Sequence, residues 1–291
     1  MTFRTRFAPS PTGPLHLGHA YSALLAHDLA MARGGTFLLR IEDIDTARAR
    51  PAWEAQIYDD LAWLGIQWSA PVMRQSDRLP AYRDALRRLW DLGLIYPCHC
   101  NRRDIEAAAT APQEGAGPMI GPDGIVYPGI CRPALPAQGT MPADGVAALR
   151  LDMARAVKSV AAGDLTFHET GAGPEGQTGP VAVAPDALVT DVGDVVLARR
   201  DMGTSYHLSV VVDDAAQGIT DVVRGHDLFE ATQIHVVLQA LLGLPRPGYC
   251  HHRLIRDDSG KRLAKRDDAR AIAAYRAQGA SPHDIRRMVG L

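Results

Sequence analysis

Short apolar strands alternate with amphipathic helices in the first third of the chain, and this alternation limits the possible folds more than any other feature. The predicted elements are, in order, Phe3–Phe7, Leu17–Arg33, Thr36–Ile41, Pro51–Gly65 and Arg78–Leu92. The first and third are strands, and the other three are helices. A strand, a helix and a second buried strand form a βαβ unit, so the sequence predicts an α/β fold with a parallel sheet.

Proline, glycine and alanine dominate the sequence between residues 98 and 190, which contains long loop-like runs. Apolar runs typical of strands return at Val195–Ala198, Leu208–Val212 and Thr220–Val223, and a helix is predicted over Phe229–Leu242. The sheet is therefore expected to resume after an interruption.

Three parts of the chain follow from this pattern. We expect a split α/β domain formed by residues 1–97 and 191–250, with an insertion at residues 98–190. Residues 251–291 are expected to form a C-terminal segment with two short helices, the second of which Ser281 can cap.

Composition narrows the class of protein. The 291 residues contain 31 Lys and Arg against 33 Asp and Glu, and this balance gives no overall attraction to nucleic acid. An RNA partner would need a local patch of arginine. The apolar runs are much shorter than the roughly 20 residues of a membrane span, and the first residues lack an apolar signal core. We therefore expect a cytoplasmic protein that does not enter a membrane.

A turn-rich loop, residues 8–19, leads from the first predicted strand directly into the first helix. Ligands of α/β sheets bind at this type of position, and a helix N-terminus offers N–H groups and a positive partial charge. His16 and His19 add donors, and Gly18 lets a flat ring lie against the backbone. Together these features suit a nucleoside triphosphate. The alternative is that the two histidines only cap the helix.

A second basic motif, Ser259–Arg266, carries four cations in six residues. Such a run is often only a solvated face. Because it follows the second half of the predicted sheet, it can instead form a loop that brings Lys265 to the same phosphates.

These two motifs resemble the His-x-Gly-His and Lys-Met-Ser-Lys-Ser elements of class I aminoacyl-tRNA synthetases. FAPSPTGPLHLGHA at residues 7–20 and LLRIEDID at residues 38–45 resemble the glutamyl branch in particular, and the similarity continues through Ser205–Leu228 to residue 266. The resemblance implies a Rossmann-type catalytic domain that uses ATP with Mg²⁺. It implies that His16, His19 and Lys265 are catalytic. The positions that it assigns to ATP are Pro9, Ser10, Gly18, Lys261, Arg262 and Lys265.

A glutamate substrate needs cations for its two carboxylates and an anion for its ammonium group. Arg6 and Arg224 can supply the cations, and Glu42 can take the ammonium. Tyr206 can close the pocket with its hydroxyl. The positions of the glutamyl branch that bind glutamate match here at Arg6, Ala8, Ser10, Glu42, Tyr206 and Arg224. The alternative for Arg6 or Glu42 is an ordinary surface ion pair.

Two departures from the family pattern also carry information. Arg262 and Ala264 stand where the family usually has lysine and serine, so activity is expected to be slower. Only 25 residues follow Arg266, and no anticodon-binding domain is expected. In this respect the chain resembles the glutamyl-queuosine tRNA(Asp) synthetases. That resemblance implies activation of L-glutamate without tRNA, transfer to queuosine at the wobble position of tRNA(Asp), and a monomer.

Three of the four cysteines fall within one 34-residue stretch, which leaves reduced thiols or a metal site as the alternatives. The resemblance implies one structural zinc ion, with His99 as a competing ligand. Its ligands would be Cys98, Cys100, Tyr127 and Cys131. Cys250 is expected to be a packed thiol.

Three other functions stay open on sequence grounds. One is a minimal glutamyl-tRNA synthetase that charges the 3′-terminal adenosine. Another is a His-x-Gly-His nucleotidylyltransferase that moves AMP onto a phosphate ester or small acid. The third is a non-catalytic paralogue that binds tRNA or a protein. The site of esterification distinguishes the minimal glutamyl-tRNA synthetase from an enzyme that transfers glutamate to queuosine. Glutamate-dependent pyrophosphate exchange would exclude the non-catalytic paralogue.

Overall fold

The fold is given by a computed structural model, which describes residues 2–110, 118–136, 139–256 and 270–291. Its strands are β1 (Arg4–Phe7), β2 (Thr36–Ile41), β3 (Ser69–Arg74), β4 (Ile95–Cys98), β5 (Ile120–Gly121), β6 (Gly124–Ile125), β7 (Ala148–Leu151), β8 (Thr166–Glu169), β9 (Gly179–Ala182), β10 (Val196–Ala198), β11 (Asp221–Gly225) and β12 (Gly248–His252). Its helices are α1 (Leu17–Ala32), α2 (Pro51–Trp63), α3 (Leu79–Asp91), α4 (Arg102–Ala109), α5 (Met153–Ser159), α6 (Pro185–Ala187), α7 (Tyr206–Ala216), α8 (Thr232–Leu242), α9 (Ile272–Ala277) and α10 (Pro282–Val289).

The first three strands form a parallel sheet in the order β1–β2–β3. The βαβ prediction is therefore confirmed. Helix α1 ends before Gly34, whose positive φ of 59° lets the chain turn back into β2. Pro51 occupies the first turn of α2, where its missing N–H costs nothing. Apolar side chains of α1, α2 and α10 pack on this sheet and form one of the two main cores.

A second sheet has the order β11–β12–β8–β9, and its first three strands are parallel. The two sheets meet where β1 lies beside the start of β11. There the Thr220 amide donates to the Arg4 carbonyl at 2.9 Å, and the Arg4 amide donates to Thr220 Oγ1 at 2.8 Å. The junction brings the ends of β1 and β11 to one place.

The strand predicted at Leu208–Val212 is wrong, because these residues lie within helix α7. The Ser205 hydroxyl accepts the Leu208 amide at 3.4 Å and caps the helix. Helix α7 is buried on almost every side between α3 and α8, so its apolar residues show no helical period. Three successive valines then resemble a buried strand.

Residues 98–190 contribute to more than one sheet. Strands β4, β7 and β10 form an antiparallel sheet, and β5 and β6 form a short hairpin. Strand β8 instead pairs with β12 in the second parallel sheet. The limits of the insertion and of the other two parts stay a prediction. Within the described residues, no helix is both long and apolar enough to cross a membrane.

Candidate active site

A cavity of about 350 Å³ lies where β1, β2 and β11 end and where α1 and α7 begin. Most of the residues that the sequence predicts for catalysis and for glutamate line it, together with Gly18 of the predicted ATP site. They are Arg6, Ala8, His16, Gly18, His19, Glu42, Tyr206 and Arg224. The fold therefore brings together residues that are up to 218 positions apart in the chain.

A second cavity of about 1090 Å³ adjoins the first, because Glu42 and Tyr206 line both. It extends to Cys100 and Tyr127, and Ser10 lines this larger cavity instead of the smaller one. The arrangement offers space for a large second substrate beside a pocket for a small one.

His16 and His19 form the beginning of α1. The Nδ1 atom of His16 accepts the Gly18 amide at 3.1 Å, and the Nδ1 atom of His19 accepts the His16 amide at 3.2 Å. Because each Nδ1 is an acceptor, a neutral ring carries its proton on Nε2. Both histidines therefore cap the helix, and the same contacts make each neutral ring an N–H donor at Nε2. A Cβ at residue 18 would lie 3.0 Å from the His16 ring, so glycine fits this turn.

A buried network of charges holds Arg6 and Glu42. Arg6 donates to both carboxylate oxygens of Asp214, at 2.8 and 3.1 Å. Arg40 donates to Asp214 at 2.7 Å and to Glu42 at 3.2 Å. Arg40 is fully buried, and Arg6 and Glu42 are 5% and 8% exposed. The alternative of a surface ion pair is therefore wrong.

The pKa values of this network follow from burial and from the two guanidinium groups. Burial opposes ionisation of Asp214, but Arg6 and Arg40 outweigh it and lower its pKa to about 2. Burial dominates at Glu42 and raises its pKa, although Arg40 and Arg6 oppose this effect. Asp214 is therefore a fixed anion. A cation that binds beside Glu42 would favour its ionised form.

Arg224 is held by three partners. Its Nε donates to His251 Nε2 at 3.1 Å, its Nη1 donates to His235 Nδ1 at 3.1 Å, and its Nη2 donates to the Thr232 hydroxyl at 2.7 Å. His251 in turn contacts the buried Glu169 at 2.5 Å through Nδ1. A guanidinium group has five N–H bonds, so three orient Arg224 and two remain for other acceptors.

The cysteines predicted to bind a metal form a cluster. The ligand atoms of Cys98, Cys100 and Cys131 lie within 4.8 Å of one another, and the Tyr127 hydroxyl is 3.5 Å from Cys98 Sγ and 3.4 Å from Cys100 Sγ. Tetrahedral zinc, with Zn–S bonds of about 2.3 Å, separates two sulfur ligands by about 3.8 Å. The observed Cys100–Cys131 separation of 3.5 Å is close to this value. The four side chains therefore fit a zinc ion.

The surroundings of the cluster shift the pKa values of Cys100 and Cys131 in opposite directions. Burial opposes ionisation of Cys131, but the His99 amide and the neighbouring side chains lower its pKa to about 7. Burial raises the pKa of Cys100 to about 11. Arg150 donates to Cys98 Sγ at 3.4 Å, and its guanidinium carbon lies 3.8 Å from the centre of the Tyr127 ring. The buried guanidinium group of Arg150 thus contacts two of the four predicted zinc ligands.

The remaining predicted residues have other positions. Within the described residues His99 is not part of the metal-ligating cluster, and its contribution is a backbone amide. Cys250 packs against the apolar core, as predicted. Pro9 is buried, and its carbonyl accepts the Glu42 amide at 3.1 Å. Lys261, Arg262 and Lys265 lie outside the described residues.

Sequence reasoning missed the residues that hold the site residues in place, namely Asp214, Arg40, His235, His251, Glu169 and Arg150. One signal was available. Arg40 interrupts the otherwise apolar end of TFLLRI, and a charged residue in a buried strand needs a partner.

The sequence matches the family described as tRNA synthetases class I (E and Q), catalytic domain, over residues 2–119 and 174–291. The parallel sheets, the histidines at the start of α1 and the adjoining cavities agree with this match. The chain therefore belongs to the class I aminoacyl-tRNA synthetases.

Curated relatives narrow the family further. The glutamyl-Q tRNA(Asp) synthetase of Rhodobacter capsulatus is 65% identical over 288 residues, which cover 99% of each chain. The glutamyl-Q tRNA(Asp) synthetase of Geobacter sulfurreducens is 41% identical over 271 residues, which cover 93% of this chain and 78% of that one. Within its class the chain belongs to the glutamyl-Q tRNA(Asp) synthetases, and it is an enzyme of the ligase type.

Solved structures support the fold. The glutamate tRNA ligase of Elizabethkingia meningosepticum aligns with a TM-score of 0.75 and 26% identity, over all of this chain and 61% of that one. The chain thus spans about three fifths of that ligase. A methionyl-tRNA synthetase of Mycobacterium tuberculosis aligns with a TM-score of 0.61 at 12% identity and shares the fold.

Proposed function

We propose that this chain activates L-glutamate with ATP, without tRNA, to give glutamyl-adenylate and pyrophosphate, and then transfers the glutamyl group to queuosine at the wobble position of tRNA(Asp). The observation that carries this proposal is the 65% identity to a glutamyl-Q tRNA(Asp) synthetase over almost the full length of both chains. The cavity that gathers the predicted glutamate residues supports it. We further propose that the enzyme acts as a monomer in the cytoplasm.

Glutamate would occupy the smaller cavity. Arg6 and Arg224 face it with cationic groups that suit carboxylates, and Glu42 offers a carboxylate for the substrate ammonium group. Burial raises the pKa of Tyr206, so its hydroxyl keeps its proton and can donate a hydrogen bond. Asp214 binds Arg6 and Arg40 binds Glu42, so both side chains are held in place at the wall of this cavity.

In the first step a glutamate α-carboxylate oxygen would attack the α-phosphorus of ATP. A bond to that oxygen forms, the bond to the bridging oxygen breaks, and pyrophosphate leaves. His16 and His19 would donate from Nε2 to oxygens that gain charge. Lys265 would add a positive charge, and Lys261, Arg262, Pro9, Ser10 and Gly18 would form the rest of the ATP site. Mg²⁺ would enter with ATP and offset the charge of its phosphates.

In the second step a queuosine hydroxyl would attack the acyl carbon, and AMP would leave. The larger cavity can admit this acceptor, since it meets the glutamate cavity at Glu42 and Tyr206. Zinc held by Cys98, Cys100, Tyr127 and Cys131 would cross-link the loops around β4 and the β5–β6 hairpin without entering the reaction.

Pyrophosphate exchange with glutamate and no tRNA tests the first step. We expect exchange in the unmodified protein. His19→Ala should slow exchange by roughly 100-fold, since it removes one donor to the developing charge, while the affinity for glutamate is retained. Equal losses of rate and of glutamate affinity would contradict the role given to His19.

The acceptor is tested by comparing tRNA(Asp) from cells with and without queuosine. We expect labelled glutamate to join only the queuosine-containing tRNA. Equal labelling of both would favour charging of the terminal adenosine. A stable adenylylated product in place of a labile acyl-adenylate would favour a nucleotidylyltransferase.

A further inference from the structure

A chain of hydrogen bonds leads from Arg224 in the smaller cavity to the wall of the larger one. Arg224 Nη1 contacts His235 Nδ1 at 3.1 Å, and His235 Nε2 contacts His207 Nδ1 at 3.2 Å. His207 Nε2 then contacts Asp123 Oδ1 at 3.2 Å. His235 and His207 are 1% and 6% exposed, whereas the side chain of Asp123 is 43% exposed.

The arginine sets the direction of every bond in this chain. A guanidinium group only donates, so His235 Nδ1 must accept and its proton must lie on Nε2. His207 Nδ1 accepts the hydrogen bond from the Nε2–H group of His235, so the proton of the His207 ring must also lie on Nε2. Asp123 accepts the last bond. Each ring therefore has one permitted tautomer, and the carboxylate of Asp123 fixes the outer end.

The four residues belong to four different elements of the fold. Arg224 is the penultimate residue of β11, His235 lies in α8, and His207 lies in the first turn of α7. Asp123 lies in the turn of the β5–β6 hairpin, on the wall of the larger cavity. The hairpin is thus connected to the glutamate cavity by side chains alone.

We propose that Asp123 and His207 are positioning residues for glutamate, which act through His235 on the orientation of Arg224. This inference rests on the proposed function, because it assumes that the smaller cavity binds glutamate. Without Asp123, the His207 ring loses its outer acceptor and can rotate. His235 then loses the partner that keeps its Nδ1 directed at Arg224, and the two remaining N–H bonds of Arg224 are less well aligned for a carboxylate.

The test compares Asp123→Ala and Asp123→Asn in glutamate-dependent pyrophosphate exchange. We expect the alanine variant to raise KM for glutamate by about three- to tenfold, with KM for ATP and kcat each changed by less than about twofold. The asparagine variant should restore a nearly normal KM, because its amide oxygen can still accept from His207. His207→Phe, which removes both ring nitrogens, should raise KM for glutamate as Asp123→Ala does.

The matched control is Asp201→Ala. Asp201 lines the same larger cavity as Asp123, but it pairs with Arg199, which does not belong to the row of hydrogen bonds from Arg224 to Asp123. We expect its KM for glutamate to stay unchanged.

Nitrogen NMR of the histidine side chains supplies a readout that a loss of stability would not mimic. We expect the His207 proton on Nε2 in the unmodified protein and a mixture of tautomers in Asp123→Ala. A proton on Nδ1 in the unmodified protein, or an unchanged KM for glutamate in both Asp123→Ala and His207→Phe, would overturn the inference. Absence of exchange in the unmodified protein would instead overturn the proposed function.

Discussion

Replacement of Asp214 by asparagine tests the buried network directly. Asp214 accepts two hydrogen bonds from Arg6 and one from Arg40, and its side chain is 9% exposed. Asparagine keeps the shape, but it removes the negative charge and one acceptor. Two buried guanidinium groups then lose their shared counter-ion, while Arg40 keeps Glu42.

The magnitude follows from the pKa. The pKa of Asp214 falls from its usual 3.8 to about 2, and each pKa unit corresponds to about 1.4 kcal/mol, so the ionised group stabilises the fold by about 2 to 3 kcal/mol. Because the pKa is lowered, this stabilisation is present above pH 3.8 and is lost as the pH falls through 2. About half of it should already be lost at pH 3.

Urea unfolding at pH 7 and pH 3, together with KM for glutamate, measures both consequences. We expect Asp214→Asn to lower the free energy of unfolding by about 2 to 3 kcal/mol at pH 7, and by about half as much at pH 3. KM for glutamate should rise by roughly tenfold or more, because Arg6 loses its fixed orientation.

The neighbouring Asp213 supplies the control. It is fully buried and accepts hydrogen bonds from Gln75, Arg78 and Tyr82 instead of from Arg6. Asp213→Asn should therefore destabilise the fold and leave KM for glutamate unchanged. The reasoning is refuted if Asp214→Asn leaves KM for glutamate unchanged, or if its loss of stability is the same at both pH values.

Three further predictions concern other parts of the molecule. Glu42→Gln should raise KM for glutamate by roughly tenfold or more, because the substrate ammonium group loses its counter-charge. Burial raises the pKa of Glu42 above the usual 4.5, so in the unmodified enzyme the affinity for glutamate should begin to fall above pH 4.5 as the pH decreases. A flat affinity profile down to pH 4 would exclude this role. Metal analysis should find about one zinc ion per chain. Cys100→Ser should lower both the zinc content and the midpoint temperature of thermal unfolding, whereas Cys250→Ser should keep the zinc. Equal zinc contents in the two variants would contradict the site. Ser281→Ala should lower the free energy of unfolding by about 1 kcal/mol, because Ser281 and Asp284 form reciprocal caps at the start of α10; an unchanged urea midpoint would count against this capping.

Local signals were enough to predict the βαβ unit and the two helices after it, but not β3, which lies between those helices. The βαβ unit has strong apolar strands, and Gly34 and Pro51 mark where α1 ends and α2 begins. Ser281 and the proline after it mark the start of α10 equally well. Each of these boundaries depends on residues within a few positions of one another, so the sequence reveals them directly.

Strand β12 shows why other elements were missed. Its sequence, GYCHH, contains two histidines and does not read as a buried strand. His251 is nevertheless buried, because Glu169 and Arg224 bind it from positions 82 and 27 residues away. Its burial depends on partners that only the tertiary structure brings close.

The residues of the candidate site also fall into a group that the sequence predicts and a group that it does not. The motifs identified residues that line the cavities, such as His16 and Tyr206. They did not show that Asp214 already binds Arg6, or that His235 already binds Arg224. These contacts join different strands and helices, and they leave no regular spacing in the sequence. A sequence can therefore show which groups face the substrate more readily than which groups hold them.

The position of the glutamyl group on the product RNA tests the central claim most directly. Labelled glutamate, ATP and Mg²⁺ would be incubated with the enzyme and queuosine-containing tRNA(Asp), and the wobble-region and 3′-terminal fragments would be counted separately after cleavage. We predict that the label is confined to the wobble fragment and is absent when the tRNA lacks queuosine. Label at the 3′ end, or no transfer despite active pyrophosphate exchange, would contradict it.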